Sequence, residues 1–81
     1  MIKDVIIDIN KSNANSLVKF SEYLDTFDKD FWKDGSCRLN VRVTSDQSEA
    51  IIDIGDKFKF TPSLESFFLL EDVFGKDIVE I

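Results

Sequence analysis

Apolar and polar positions alternate most cleanly from Cys37 to Val43, where Cys37, Leu39, Val41 and Val43 are separated by Arg38, Asn40 and Arg42. A two-residue period sends successive side chains to opposite faces of a strand, so this stretch predicts a strand with one apolar and one polar face. Ile2–Ile9 repeats the pattern: Val5, Ile7 and Ile9 point inward, and Asp4 and Asp8 point outward with Ile6 between them. A third strand is predicted from Ala50 to about Phe60, with Ala50, Ile52 and Ile54 inward. Gly55 interrupts it as a bulge or bend and changes which face Phe58 and Phe60 occupy. Ile78–Ile81 reads as a short final strand.

Between these runs the period changes. Leu17, Phe20, Leu24, Phe27 and Phe31 fall at steps of three and four, which predicts a helix from about Asn15 to Phe31, capped by Asn13 or Asn15. Glu22, Asp25 and Asp28 give it an acidic outer side, read as a solvated face. A second helix lies between Pro62 and Gly75. Its apolar face is drawn through Leu64, Phe67, Leu70 and Phe74, broadened by Phe68 and Val73. Ser63 or Thr61 caps its start and Gly75 stops it. Lys33–Ser36 is a turn and Thr44–Ser48 a hairpin loop.

The order is therefore βαββαβ within a single domain spanning residues 1–81. The expected class is α+β or α/β: one four-stranded mixed sheet with two helices on one face, and an antiparallel hairpin between strands two and three. The uncovered face should carry Asp4, Ile6, Asp8, Arg38, Asn40, Arg42, Ile51 and Asp53. A ferredoxin-like arrangement is one solution. No repeat, linker or low-complexity tract interrupts the chain.

Composition narrows the function. The 81 residues carry a net charge of −6, eight phenylalanines, one cysteine and no histidine. A chain of this size buries roughly 60–65% of its unfolded surface and is stable by a few kcal/mol. Its charge repels phosphate backbones, so direct nucleic-acid binding is not expected. The aromatics that RNA-binding sheets use on strands one and three are replaced by Ile6, Ile51 and Asp53. A lone cysteine makes no internal disulfide, and Cys37 reads as a small buried residue in a reducing compartment. No zinc or iron–sulfur ligand set exists, no apolar run reaches ~20 residues, and Met1–Ile9 lacks the shape of a signal peptide. The expected location is the cytoplasm. The loop Asn10–Asn13 has neither the glycine nor the arginine of a phosphate cradle. Arg38, Asn40 and Arg42 are expected to pair with Asp4, Asp8 and Asp53 across strands rather than hold an anion. Asp25 and Asp28 alone make a weak metal or acid–base pair. Neither catalysis nor a cofactor is expected.

The stretch Gly55–Ile81 resembles the extreme C-terminus of the bacterial DNA polymerase III alpha subunit. That family has a glycine, two residues, an aromatic, a basic residue, an apolar residue and Ser/Thr-Pro-Ser. A leucine-rich helix, a glycine and a terminal Val-Glu-Leu follow. Here these are Gly55, Phe58, Lys59, Phe60, Thr61-Pro62-Ser63, the helix to Phe74, Gly75 and Val79-Glu80-Ile81. Upstream, Gly35-Ser36-Cys37-Arg38-Leu39 matches a Gly-x-Cys-Pro-Val element with arginine in place of proline. The match is ungapped from Gly55 to Ile81 and looser over the rest.

The resemblance implies a truncated Rossmann-like sheet and an interaction role. It makes the chain the tau-binding domain that docks the polymerase core on the tau subunit of the clamp loader during DNA replication, with the polymerase active site elsewhere in the subunit. It also assigns partner-binding residues: Phe58 and Lys59 at the end of strand three, Val79 and Ile81 on the last strand. Phe58 stands where the family often has tryptophan and lacks its indole N–H. Under this reading Met1 is an added start. The alternative is a free-standing acidic protein with Met1 as its own initiator, either an immunity-type inhibitor that uses the acidic first helix or a phosphate-handling enzyme on a similar fold.

Overall fold

The computed structural model describes residues 3–33 and 35–80. Strand β1 (Asp4–Asp8) leads through helix α1 (Leu17–Leu24) and a 3₁₀ turn at Lys29–Trp32 to β2 (Cys37–Thr44). A hairpin returns along β3 (Glu49–Asp53), and a second 3₁₀ turn at Asp56–Phe58 precedes the two-residue β4 (Lys59–Phe60). Helix α2 (Leu64–Phe74) and β5 (Val79–Glu80) complete the described chain. The fold is α+β with a mixed sheet. Its order is β3-β2-β1-β5, and β4 lies on the same side of β2 as β3. β1 and β2 are adjacent and parallel, and β3, β4 and β5 run antiparallel to their neighbours. An adjacent parallel pair joined through a helix is the Rossmann-like solution; a ferredoxin-like sheet would interleave the strands.

Register explains the two faces. Val5 lies opposite Leu39 and Ile7 opposite Val41, and all four are buried in the core with Cys37, Phe20, Leu24, Phe60, Leu70 and Phe74. Asp4, Ile6 and Asp8 lie opposite Arg38, Asn40 and Arg42 on the uncovered face, as the alternation predicts. The helix layer is largely aromatic. Phe20 stacks on Phe74 at 4.9 Å, Phe27 on Phe31 at 4.8 Å, and Phe31 on Phe60 at 5.5 Å. Offset stacks and edge contacts of this kind add to simple area burial.

The first helix is shorter than its apolar stripe predicts. It ends at Leu24, where Thr26 turns its hydroxyl onto the Tyr23 carbonyl at 2.6 Å and Asp28 takes an extended backbone to cap the following 3₁₀ turn. Such short polar side chains compete with the helical hydrogen-bond ladder. Phe27 and Phe31 still pack against the core, but Leu17 is exposed. Ser16, not Asn13 or Asn15, caps α1 by accepting from the Lys19 N–H at 3.2 Å. Asn13 serves the other helix: its backbone N–H donates to the Phe74 carbonyl at 2.8 Å and its amide to Val73 at 3.4 Å. Ser63 caps α2, and Gly75 ends it with φ 121°.

The third strand is broken in two. Gly55 (φ 104°) donates its N–H to Asp53 Oδ1 at 2.8 Å and turns the chain through the 3₁₀ segment before it rejoins β2. The inserted length is even, so the bend does not change the face of Phe60, contrary to the expectation from sequence: it returns opposite Cys37 on the core face and is fully buried. The rejoining strand passes so close to Gly35 that a Cβ there would stand 2.3 Å from the Lys59 carbonyl carbon and the Phe60 nitrogen. Only glycine fits such an approach. Ala50 and Ile52 share the face of Val43 and Val41, as predicted. They are nevertheless exposed, because β3 is the outermost strand and the helices cover the strands inside it. Ile54 alone of the three packs against the core.

Candidate functional site

The uncovered sheet face holds the densest set of charges. Arg42 on β2 reaches across β1 to hold both carboxylate oxygens of Glu80 on β5; its Nη2 lies 3.1 Å from Glu80 Oε1. It also lies 3.8 Å from Asp8 and 3.1 Å from Glu49. The Nε–Glu49 approach is an ion contact without hydrogen-bond alignment. One guanidinium therefore ties β1, β2, β3 and β5 together. Its hydrogen bonds to Glu80 push its pKa further above the ordinary arginine value, against the opposing effect of burial. Arg38 pairs with Asp53 at 2.7 Å, and Asn40 donates to Asp4 at 3.3 Å. The Gly55 N–H first, and Arg38 second, hold the Asp53 carboxyl below the usual aspartate range. Cross-strand pairing thus occupies both arginines, and the surrounding carboxylates outnumber them.

The loop after β1 is similarly self-satisfied. Asn10 donates to the Thr44 carbonyl at 2.9 Å, and the buried Ser12 hydroxyl lies 2.9 Å from the Ala14 carbonyl. Cys37 is fully buried on the core face. Burial, and next the nearby Asp4 charge, push its thiol pKa to about 11. A thiol held neutral in this way is a poor nucleophile and metal ligand. Among the described residues, no three cysteine, aspartate or glutamate side chains form a metal-holding group, and no helix is long and apolar enough to cross a membrane.

The structure separates the partner-binding residues that the resemblance assigns. Phe58 is half-buried at the end of its 3₁₀ turn, edge-on to Trp32 at 5.2 Å, with the Lys57 ammonium 5.6 Å from its ring centre. Lys59, on β4, lies opposite Arg38 of β2 in the strand register. Val79 lies opposite Ile7 on β5, at the other edge of the sheet. Two strands intervene, so Phe58–Lys59 and Val79 stand roughly 14 Å apart across the sheet at ordinary strand spacing. Ile81 lies outside the described residues.

A different surface stands out. In α2, Phe67, Leu70, Val73 and Phe74 face the core, yet Leu64 is 75% exposed, Phe68 65% and Leu69 43%. Phe68 and Leu69, with Glu65 and Asp72, line a surface groove of about 490 Å³. Leu64 and Phe68 are a correction to the predicted buried face. Both occupy positions that a helix of this pitch turns away from Leu70 and Phe74. The signal was present in the sequence: seven of the eleven residues of LESFFLLEDVF are apolar, more than a single face can bury. Compared with known protein families, curated proteins and solved structures, the chain gives no significant match.

Proposed function

We propose that this chain is a protein–protein interaction module whose partner is the tau subunit of the bacterial clamp loader. The observation that supports an interaction role is the outer face of α2. It exposes three large apolar side chains on one short helix, a concentration that marks contact surfaces on soluble domains. The choice of tau rests on the resemblance of Gly55–Ile81 to the end of the polymerase III alpha subunit. In this reading the domain works in the cytoplasm and joins the polymerase core to the clamp loader. It performs no chemistry of its own and holds no cofactor.

The test is calorimetric titration of tau's C-terminal region into the whole chain. Saturable one-to-one heat is expected, and its absence overturns the choice of tau. Phe58→Ala then separates two roles for that ring: binding lost with the circular-dichroism spectrum intact marks docking, and joint loss marks core filling against Trp32. A second reading, a free-standing acidic protein that neutralises a basic partner, is favoured by the exposure of Glu22, Asp25 and Asp28 along α1 and the segment after it. An in-frame continuation of the coding sequence into a large polymerase would eliminate it.

A further inference from the structure

We infer that the outer face of α2 receives an amphipathic helical segment of a partner protein, apolar along one side and bearing lysine or arginine at its flanks. The inference rests on the interaction-module reading and gives that partner a chemistry. Leu64 and Phe68 are one helical turn apart, as are Phe68 and Asp72, and Glu65 and Leu69 run beside them. The strip from Leu64 to Asp72 is about 12 Å long at the α-helical rise, and an apposed helix meets such a strip with anchors at i, i+4 and i+7. The groove within it is lined by Phe68 and Leu69, and both polar residues that line it are carboxylates, Glu65 and Asp72. Two apolar side chains with an acid on either side of them along the helix fit an occupant that is apolar at its centre and cationic at its edges.

The same charges argue against other occupants. A second copy in an antiparallel two-fold contact centred on Phe68 and Leu69 would set Glu65 of one copy against Asp72 of the other, like against like, within a pair of chains that each carry −6. Nucleic acid and anionic membrane surfaces meet the same repulsion. The outer edge of β3 also exposes Ile51 and Ile52. An antiparallel copy centred on Ile51 would place Glu49 opposite Asp53, again like against like.

The experiment uses the whole isotope-labelled chain and synthetic helical peptides of about 18 residues. One has leucine at i, i+4 and i+7 with flanking lysines; its analogue replaces every lysine by glutamate. The lysine peptide is expected to shift the backbone amide signals of residues 64–72, with affinity that falls as salt rises. Phe68→Ser should weaken it roughly tenfold or more, as loss of a central aromatic anchor does, with the helical spectrum retained. Glu65→Lys together with Asp72→Lys should reverse the preference in favour of the glutamate peptide.

The inference is overturned if both peptides bind the unaltered chain equally, or if the shifts map to Glu49–Asp53 or scatter. It is also overturned if the chain alone self-associates through this face in a manner that Phe68→Ser abolishes. Failure here is distinct from failure of the tau reading. Tau binding that Phe68→Ser leaves untouched, with no lysine-peptide shifts, removes this site and keeps the module. Lysine-peptide shifts at residues 64–72 without tau binding do the reverse.

Discussion

The helix-free face of the sheet and the outer face of α2 both lie outside the core, and they are built in opposite ways: on the sheet Asp8 and Asn40 are buried among their neighbours, while on α2 Leu64 and Phe68 are exposed. On the sheet, each arginine has a carboxylate partner and Arg42 has several, drawn from β1, β3 and β5. On the helix, Leu64 and Phe68 rest against solvent with carboxylates beside them. The first surface has spent its charges on holding strands in register. The second leaves apolar area uncovered, an arrangement that folding alone does not favour. High charge density on the sheet is thus accounted for by strand pairing within the chain, whereas the apolar area on α2 is left uncovered.

The sharpest way to break the contrast is to substitute the inner face of the same helix. Leu70 is fully buried, and Leu70→Ala should cost roughly 2–5 kcal/mol, close to the whole stability of so small a domain. Thermal unfolding followed by circular dichroism reads this directly. Gly35→Ala comes next. Its new methyl would meet the β4 backbone at 2.3 Å, and the overpacking should cost about 1–3 kcal/mol. The loss should be accompanied by weaker amide-exchange protection in Lys59 and Phe60, and unchanged protection there would show that the close approach is not maintained in solution.

A smaller effect is expected from Arg42→Met. It removes the link among Asp8, Glu49 and Glu80, so the melting temperature should drop by less than for Leu70→Ala. The difference from the unaltered chain should shrink in 1 M salt, because screening weakens exposed ion pairs. A salt-independent deficit would mean that Arg42 acts through its aliphatic stem.

Cys37 gives a pH signature of the interior. Its thiol pKa is raised from 9.0 to about 11 by burial, so the folded state holds the proton more tightly than the unfolded state. That contribution to stability is complete below pH 9 and is lost as the pH climbs through about 11. Relative to Cys37→Ala, the unaltered chain should lose stability over that window. At pH 8, disulfide-exchange reagents should modify Cys37 only as fast as the chain opens. Rapid labelling of the native protein would place the thiol at the surface.

Much of this architecture was legible in the residue pattern. The period-two runs at Val5–Ile9 and Cys37–Val43 located two strands and assigned their faces, because each has one face against the helices; that the two are adjacent and parallel comes from the structure. Ser63 and Gly75 bounded α2 because capping is local chemistry. Three features were not legible, each for its own reason. The end of α1 at Leu24 depends on Thr26 and Asp28, whose side chains satisfy the backbone locally and override an apolar stripe that continues to Phe31. The exposure of Ala50 and Ile52 depends on how far the helix layer reaches over β3, which alternation does not encode. The outer face of α2 was hidden by its own excess: with seven apolar residues in eleven, a face drawn through Leu64 and Phe68 looks as good as one drawn through Leu70 and Phe74. Phe58–Lys59 and Val79 lie toward opposite edges of the sheet because the order β3-β2-β1-β5 places β4 and β5 on opposite sides of the parallel pair.

The division of α2 into a folding face and a contact face is tested most directly by thermal unfolding of Phe68→Ser. Phe68 is 65% exposed, and phenylalanine and serine have similar helix propensities. The substitution should therefore change stability by no more than about 0.5 kcal/mol, a shift within roughly 4 °C for a domain of this size. A fall as large as that of Leu70→Ala would show that Phe68 is part of the folded core, and the account of an outer docking face would fail with it.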